Sequence, residues 1–195
     1  EAGASGGGGT FKWTLSFWLK RSILSTQQTI MSRYVNANKY VKILINNANQ
    51  LEYAVYNSAY QARYETSALF RDTSAWSHIV IAQGGDFNTN NAPHQIGAFN
   101  AGDEFQGYFS QFCFVDNVQY NADQFGEFDS DSGVWKPIDV SGLSTGATSF
   151  FLAFEDSSAL GTDSSGESNN FSLNNITALD QTTDSCTNNF SIGNS

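Results

Sequence analysis

Along the first strand-like segment, apolar and polar side chains change places at every residue. In FKWTLSFWLK, Phe11, Trp13, Leu15, Phe17 and Leu19 fall on one face of an extended chain, and Lys12, Thr14, Ser16, Trp18 and Lys20 on the other. A period of two marks a strand with one buried face. YVKILI repeats it through Val41, Ile43 and Ile45, and LEYAVY through Leu51, Tyr53 and Val55, so residues 40–56 read as a hairpin closed by NNANQ. Tyr53, Tyr56, Tyr60 and Tyr64 have helix-like spacing, but Asn57-Ser58 between them and their β-rich neighbours favour a second hairpin. AWSHIVIA and SFFLAFE are further buried strands, and GYFSQFCFV is apolar on both faces, as suits a strand inside a packed sandwich. Only NADQFGE suggests a helical turn, with Asn121 as its cap. The pattern predicts an all-β, two-sheet antiparallel sandwich.

Composition narrows the class further. The 195 residues make one domain, long enough to bury roughly 70% of the unfolded surface. Charged residues are only 14%, and the polar remainder is largely Ser, Thr, Asn, Gln and Gly, as many short strands and turns require. The net charge of -10 is unevenly placed: eight Lys/Arg against three Asp/Glu up to Arg71, then sixteen acidic residues against Lys136 alone. The acidic part would repel phosphate backbones, so nucleic acid is excluded as a partner. No run of residues approaches the ~18 apolar positions of a membrane span, which excludes insertion of that kind. Cys113 and Cys186 do not make a disulfide framework, and Cys113 reads as a small core residue. EAGASGGGGT lacks an initiator Met, a basic patch and an apolar stretch, so residues 1–10 read as a Gly-rich linker of a processed or longer product.

Five blocks then occur in order: FKWTLSFWLKRS, FRDTSAWSHIVIA, HQIGAF, FQGYFSQFCFVDNVQYNADQFGEFDSDSGVWKPI and LGTDSSGESNNFSLNNI. Together they resemble the laminin-G-like, concanavalin A-like lectin/glucanase domain of tailed-bacteriophage virion proteins, the marine phages in particular. Trp76-x-His78 and the block Gly107–Pro137 are the most specific parts. The resemblance implies a jelly roll over residues 11–178 and a Thr/Asn-rich tail, 179–195, leading to a further domain. It also implies a place on the particle exterior, as tail fibre, receptor-binding protein or decoration, with a host cell-surface glycan, other virion proteins and further copies of the chain as partners. The chain departs from the family's pattern twice. The Gly-rich segment stands where a strand usually precedes Phe11, and GGDFNTNNAP replaces a strand and loop between Gln83 and His94. Loss of such strands would leave open sheet edges for a partner chain to cover.

The candidate chemistry is that of binding. Glycanases of this superfamily use two carboxylates spaced by two on one strand, and the near match here is Glu127, Asp129 and Asp131. Gly126, Ser130, Ser132 and Gly133 crowd these three, so the segment reads as a turn and the chain as non-enzymatic. His78 beside Trp76 reads as a structural histidine, and His94 has no neighbouring Cys or His to form a zinc site. No nucleophile elbow is present. Asp156, Asp163, Asn169 and Asn170, around Gly161 and Gly166, form a candidate calcium site, with an Asx-type turn as the alternative. Sugar rings stack on aromatic faces while their hydroxyls seek planar polar groups; Trp18, Tyr34, Tyr40, Tyr56, Tyr60 and Tyr64 are the candidate rings, several beside Asn-rich hairpin ends. The function expected is carbohydrate-binding adhesion. A purely structural decoration or fibre-assembly role is the alternative, and a glycan-degrading enzyme a third reading.

Overall fold

A computed structural model describes residues 12–85, 87, 92–100, 102–143 and 145–188. The Gly-rich linker, Phe11, most of DFNTNN and the last seven residues lie outside this set. The described chain is all-β: two large antiparallel sheets, the plan of a β-sandwich, with three-residue 3-10 turns in place of α-helices.

The first unit carries a five-stranded sheet, in the order β5-β4-β3-β2-β7. Its strands are β2 (Gln28–Asn36), β3 (Lys39–Ile45), β4 (Gln50–Asn57), β5 (Tyr60–Leu69) and β7 (His94–Ile96). Both expected hairpins are present. The β3–β4 turn is made by asparagine chemistry: the Asn46 side chain accepts from the backbone N–H groups of Ala48 and Gln50, and Asn49 takes a positive φ of 65°. Ser58, at φ 58°, closes β4–β5. Register then decides the faces. Tyr40, Lys42 and Leu44 oppose Tyr56, Ala54 and Glu52, while Val41, Ile43 and Ile45 oppose Val55, Tyr53 and Leu51 on the other face.

The second unit carries a four-stranded sheet, in the order β11-β8-β1-β6, and a small β9–β10 hairpin. Its strands are β1 (Lys12–Arg21), β6 (Ser77–Gly84), β8 (Gly107–Asp116), β9 (Gly126–Phe128), β10 (Trp135–Pro137) and β11 (Phe150–Leu152). Phe17 stacks on Phe112 at 5.2 Å, Trp13 on Phe114 at 6.0 Å and Phe114 on Phe150 at 5.6 Å, so one face is a continuous aromatic layer. The opposite face is covered as well. Val118, Tyr120, Phe125, Val140 and Leu143 pack with Cys113 and Val115, and Trp135 and Cys186 pack with Trp18 and Trp76.

That second cover corrects the expectation that Trp18, on the face of β1 shared with Thr14 and Ser16, offers its ring to a ligand. Trp18 is 2% exposed and stacked on His78 at 4.7 Å, because the chain after β8 folds back over this face. The 3-10 turn Ala122–Gln124 forms where expected, but the Asn121 side chain makes no capping hydrogen bond. The folded part also continues past residue 178. Asp184 accepts from Lys20 and from the Trp76 indole, and the Gln181 amide donates to the carbonyls of Phe154 and Glu155.

Candidate functional site

Four of the six candidate rings come together on one face of the five-stranded sheet. Tyr40 and Tyr56 face each other across β3–β4 and stack at 4.9 Å, 11° from parallel. Tyr60, brought beside Tyr56 by a bulge in the β4–β5 pairing, meets it edge-on at 5.2 Å. On the other side Tyr34 opposes Tyr40 across β2–β3. Phe99 wedges between them, edge-on to Tyr40 at 5.0 Å and to Tyr34 at 5.4 Å. The result is a row, Tyr34–Phe99–Tyr40–Tyr56–Tyr60, in which the first four rings are half-buried and Tyr60 is 50% exposed.

The row is held from the side by charge. The Lys42 ammonium sits 4.8 Å from the Phe99 ring centre, 5.7 Å from that of Tyr40 and 3.8 Å from the Asp103 carboxylate. Burial, then the charges of Tyr60, Tyr56 and Glu52 and a hydrogen bond with Tyr60, push the Tyr40 phenol up to about 12. The Tyr40 hydroxyl is therefore a neutral hydrogen-bonding group throughout the neutral pH range.

The same face continues into a polar hollow of about 350 Å³, lined by Gln27, Asn46, Gln50, Glu52, Arg63 and Glu65 among others. Glu52 is buried, and its two oxygens accept from Nε and Nη2 of Arg63 at 3.0 and 3.1 Å. Arg63 also reaches Glu65 at 2.9 Å and lies 5.5 Å from the Tyr60 ring centre, which joins hollow to row. Planar amides, carboxylates and a guanidinium beside a row of half-buried rings that ends in the exposed Tyr60 are the groups that hydroxyl-rich, C–H-faced ligands require. Both glutamates contact one guanidinium.

The other candidates are placed elsewhere. Tyr64 lies on the opposite face of the sheet, parallel to Tyr53 at 6.2 Å. Trp18 belongs to the second unit and is buried, so it offers no ring face to a ligand. Asp163 accepts four hydrogen bonds, from the backbone of Phe151, Ser165 and Asn169 and from the Ser165 hydroxyl. The Asn170 side-chain oxygen accepts from the Asp163 N–H, while the Asn169 amide donates to the carbonyls of Ala147 and Ser149. Asp156 closes its own Asx turn with Ser158. The Asp163 oxygens and that of Asn170 thus accept from donors of the turn, the hydrogen-bond pattern of an Asx-type turn. Among the described residues no group of three or more His, Cys, Asp or Glu side chains is arranged to hold a metal.

Glu127 to Asp131 form the β9–β10 hairpin: Asp129 accepts from the N–H groups of Asp131 and Ser132, the Ser132 hydroxyl and Lys136. Those bonds hold its carboxyl well below the usual range. His78 is likewise structural. Trp135 Nε1 donates to His78 Nδ1 at 2.9 Å, which leaves the proton on Nε2, 2.9 Å from the Ser16 hydroxyl. A ring that donates to Ser16 cannot accept its proton, so the pair is no nucleophilic dyad. His94 Nε2 meets the Phe87 carbonyl at 3.2 Å, and burial lowers both histidines to about 4.

Phe99, Lys42, Asp103, Glu52 and Arg63 escaped the sequence reading. Strand parity within the 40–56 hairpin groups Lys42 and Glu52 with Tyr40 and Tyr56, a signal available once the hairpin register is fixed. Phe99 and Asp103 carry no such signal, since an irregular loop brings them over β2 and β3. The chain matches no known family model and no curated protein. No helix among the described residues is long and apolar enough to cross a membrane, which leaves β-strand spans unaddressed.

Proposed function

We propose that the chain is a non-enzymatic carbohydrate-binding module that attaches a tailed-phage particle to a host cell-surface glycan. The observation that carries the binding reading is the ring row Tyr34–Phe99–Tyr40–Tyr56–Tyr60 running into a hollow lined with planar polar groups on the same sheet face. The virion setting rests on the sequence resemblance alone. The charges of the face, Lys42 and Arg63 against Asp103, Glu52 and Glu65, nearly cancel, which suits a neutral glycan better than a sulfated or uronate-rich one.

The test is direct binding of the labelled chain to host surface polysaccharide, with neutral and sulfated polysaccharides as comparators. Saturable binding to a neutral polymer that Tyr56→Ala weakens about ten-fold supports the reading. Absence of binding at high micromolar concentration by folded protein would overturn it. A second reading, an assembly domain joining copies or subunits, is favoured by the open strand edge of β5.

A further inference from the structure

We propose that β5 is a self-association edge: two copies of the chain pair their β5 strands antiparallel about a two-fold axis through Tyr64. The starting observation is that β5, ten residues long, is the terminal strand of its sheet among the described residues, paired there with β4. Eight of its ten residues, YQARYETSAL, are exposed and the other two, Ala62 and Thr66, are half-buried, with Tyr60 at 50% and Tyr64 at 59%. Edge strands in monomers are guarded by proline, by charged side chains, lysine above all, by brevity or by bulges. β5 contains neither Pro nor Lys, its two charges, Arg63 and Glu65, are of opposite sign, and its pairing with β4 is regular over Ala62–Glu65, with irregularities on either side of that stretch.

Geometry then restricts the register. In an antiparallel strand the N–H and C=O of one residue point the same way and those of the next point the other way. Two identical edges can therefore exchange hydrogen bonds only when residue numbers i and j of facing residues sum to an even number, which puts the two-fold axis on a residue. The charges choose among the registers. An axis on Arg63 places Arg63 against Arg63, and one on Glu65 places Glu65 against Glu65. Axes on Ala62 or Thr66 leave both charges opposite uncharged residues. Only the axis on Tyr64 sets Arg63 of each copy opposite Glu65 of the other, twice over. Arg63 and Glu65 are 48% and 38% exposed and pair with each other at 2.9 Å within one chain, so the exchange moves that contact from the chain's own Glu65 to the second copy's while Arg63 keeps its bonds to Glu52.

The occupant is thus a second copy of this chain, and self-complementary charge is what identifies it. The proposal stands independently of the carbohydrate reading. If both hold, pairing makes one sheet of ten strands and sets the two ring rows on a continuous face, so a repeating polymer is gripped at two points.

Sedimentation equilibrium over a concentration series reads the state of the full chain. The wild type is expected to dimerise, and Glu65→Arg, which sets Arg63 against a new cation, to weaken the dimer about ten-fold or more. The double exchange Arg63→Glu with Glu65→Arg restores the pairing, and it keeps a cation directly opposite the buried Glu52, whose β5 partner is position 65. A variant independent of those charges fixes the axis. Cys113 and Cys186 are both buried, so Tyr64→Cys supplies the accessible thiol; on the axis it forms a covalent dimer on mild oxidation, while Ser67→Cys does not. A wild type that stays monomeric at all concentrations overturns the proposal. So does a dimer indifferent to Glu65→Arg, or one cross-linked through position 67 and not 64.

Discussion

Single side chains on this molecule divide into those that present chemistry and those that hold a turn. Tyr56 presents its ring between Tyr40 and Tyr60 and is half-buried, so truncation removes a stacking surface and little of the core. Tyr56→Ala is expected to weaken glycan binding about ten-fold, ~1.4 kcal/mol, while Phe128→Ser, an exposed ring on β9, leaves it unchanged in the same titration. Asp163 is a holding residue. Asp163→Asn turns an amide group toward N–H donors and should cost about 2–3 kcal/mol, read as a fall in Tm of roughly 5–10 °C. Because its oxygens are already engaged, a calcium chelator is expected to leave Tm where it was. The histidines set the acid response. In the folded chain His78 and His94 sit near 4, lowered first by burial, against 6.5 when unfolded. Between those values the unfolded chain binds protons that the folded chain refuses. Stability is therefore full above pH about 6.5 and is lost as pH falls toward 4, by up to about 3 kcal/mol for each histidine. Urea unfolding at pH 7.5 and 4.5 measures the drop, and His78→Gln combined with His94→Gln should flatten it.

At the scale of elements, the β9–β10 hairpin acts as a plug. It carries Trp135 to His78, and through His78 to Ser16 and Trp18, so a three-residue strand secures the covered face of the four-stranded sheet. Gly126 is the hinge of that contact, since a Cβ there would lie 2.7 Å from the Trp135 indole. Gly126→Ala must push the ring away from His78 and is expected to destabilise the chain by about 1–3 kcal/mol. Near-ultraviolet circular dichroism should show the altered tryptophan environment, with the far-ultraviolet sheet signal kept. The elements were the most legible part of the sequence. Alternation in 12–20 and 40–56 marked β1, β3 and β4 because each has a face that must be buried, and the asparagines of NNANQ marked the turn because their side chains bond the backbone. Trp18 was misplaced for the converse reason. Alternation identifies which residues share a face but not whether that face stays open, and β1 is covered on both sides.

For the whole molecule the unequal distribution of charge becomes a division of labour. Four of the nine basic residues, Arg33, Lys39, Lys42 and Arg63, lie in the segment that builds β2 to β5, where Lys42 and Arg63 balance Asp103, Glu52 and Glu65. Four of the acidic residues after Asp72 serve turns: Asp129, Asp139, Asp156 and Asp163 each accept hydrogen bonds from nearby backbone N–H groups. The β class, the strands β1, β3 and β4 and the turn that begins at Asp129 follow from local order along the chain, because alternation and turn chemistry act over a few residues. Which rings meet was decided in three dimensions. Register across β2, β3, β4 and β5 set Tyr34, Tyr40, Tyr56 and Tyr60 on one face and sent Tyr64 to the other. A loop distant in sequence supplied Phe99, and the return of the chain over β1 buried Trp18. A residue's parity is written in its own strand, but its neighbours across the sheet depend on turns and bulges that only the assembled backbone fixes.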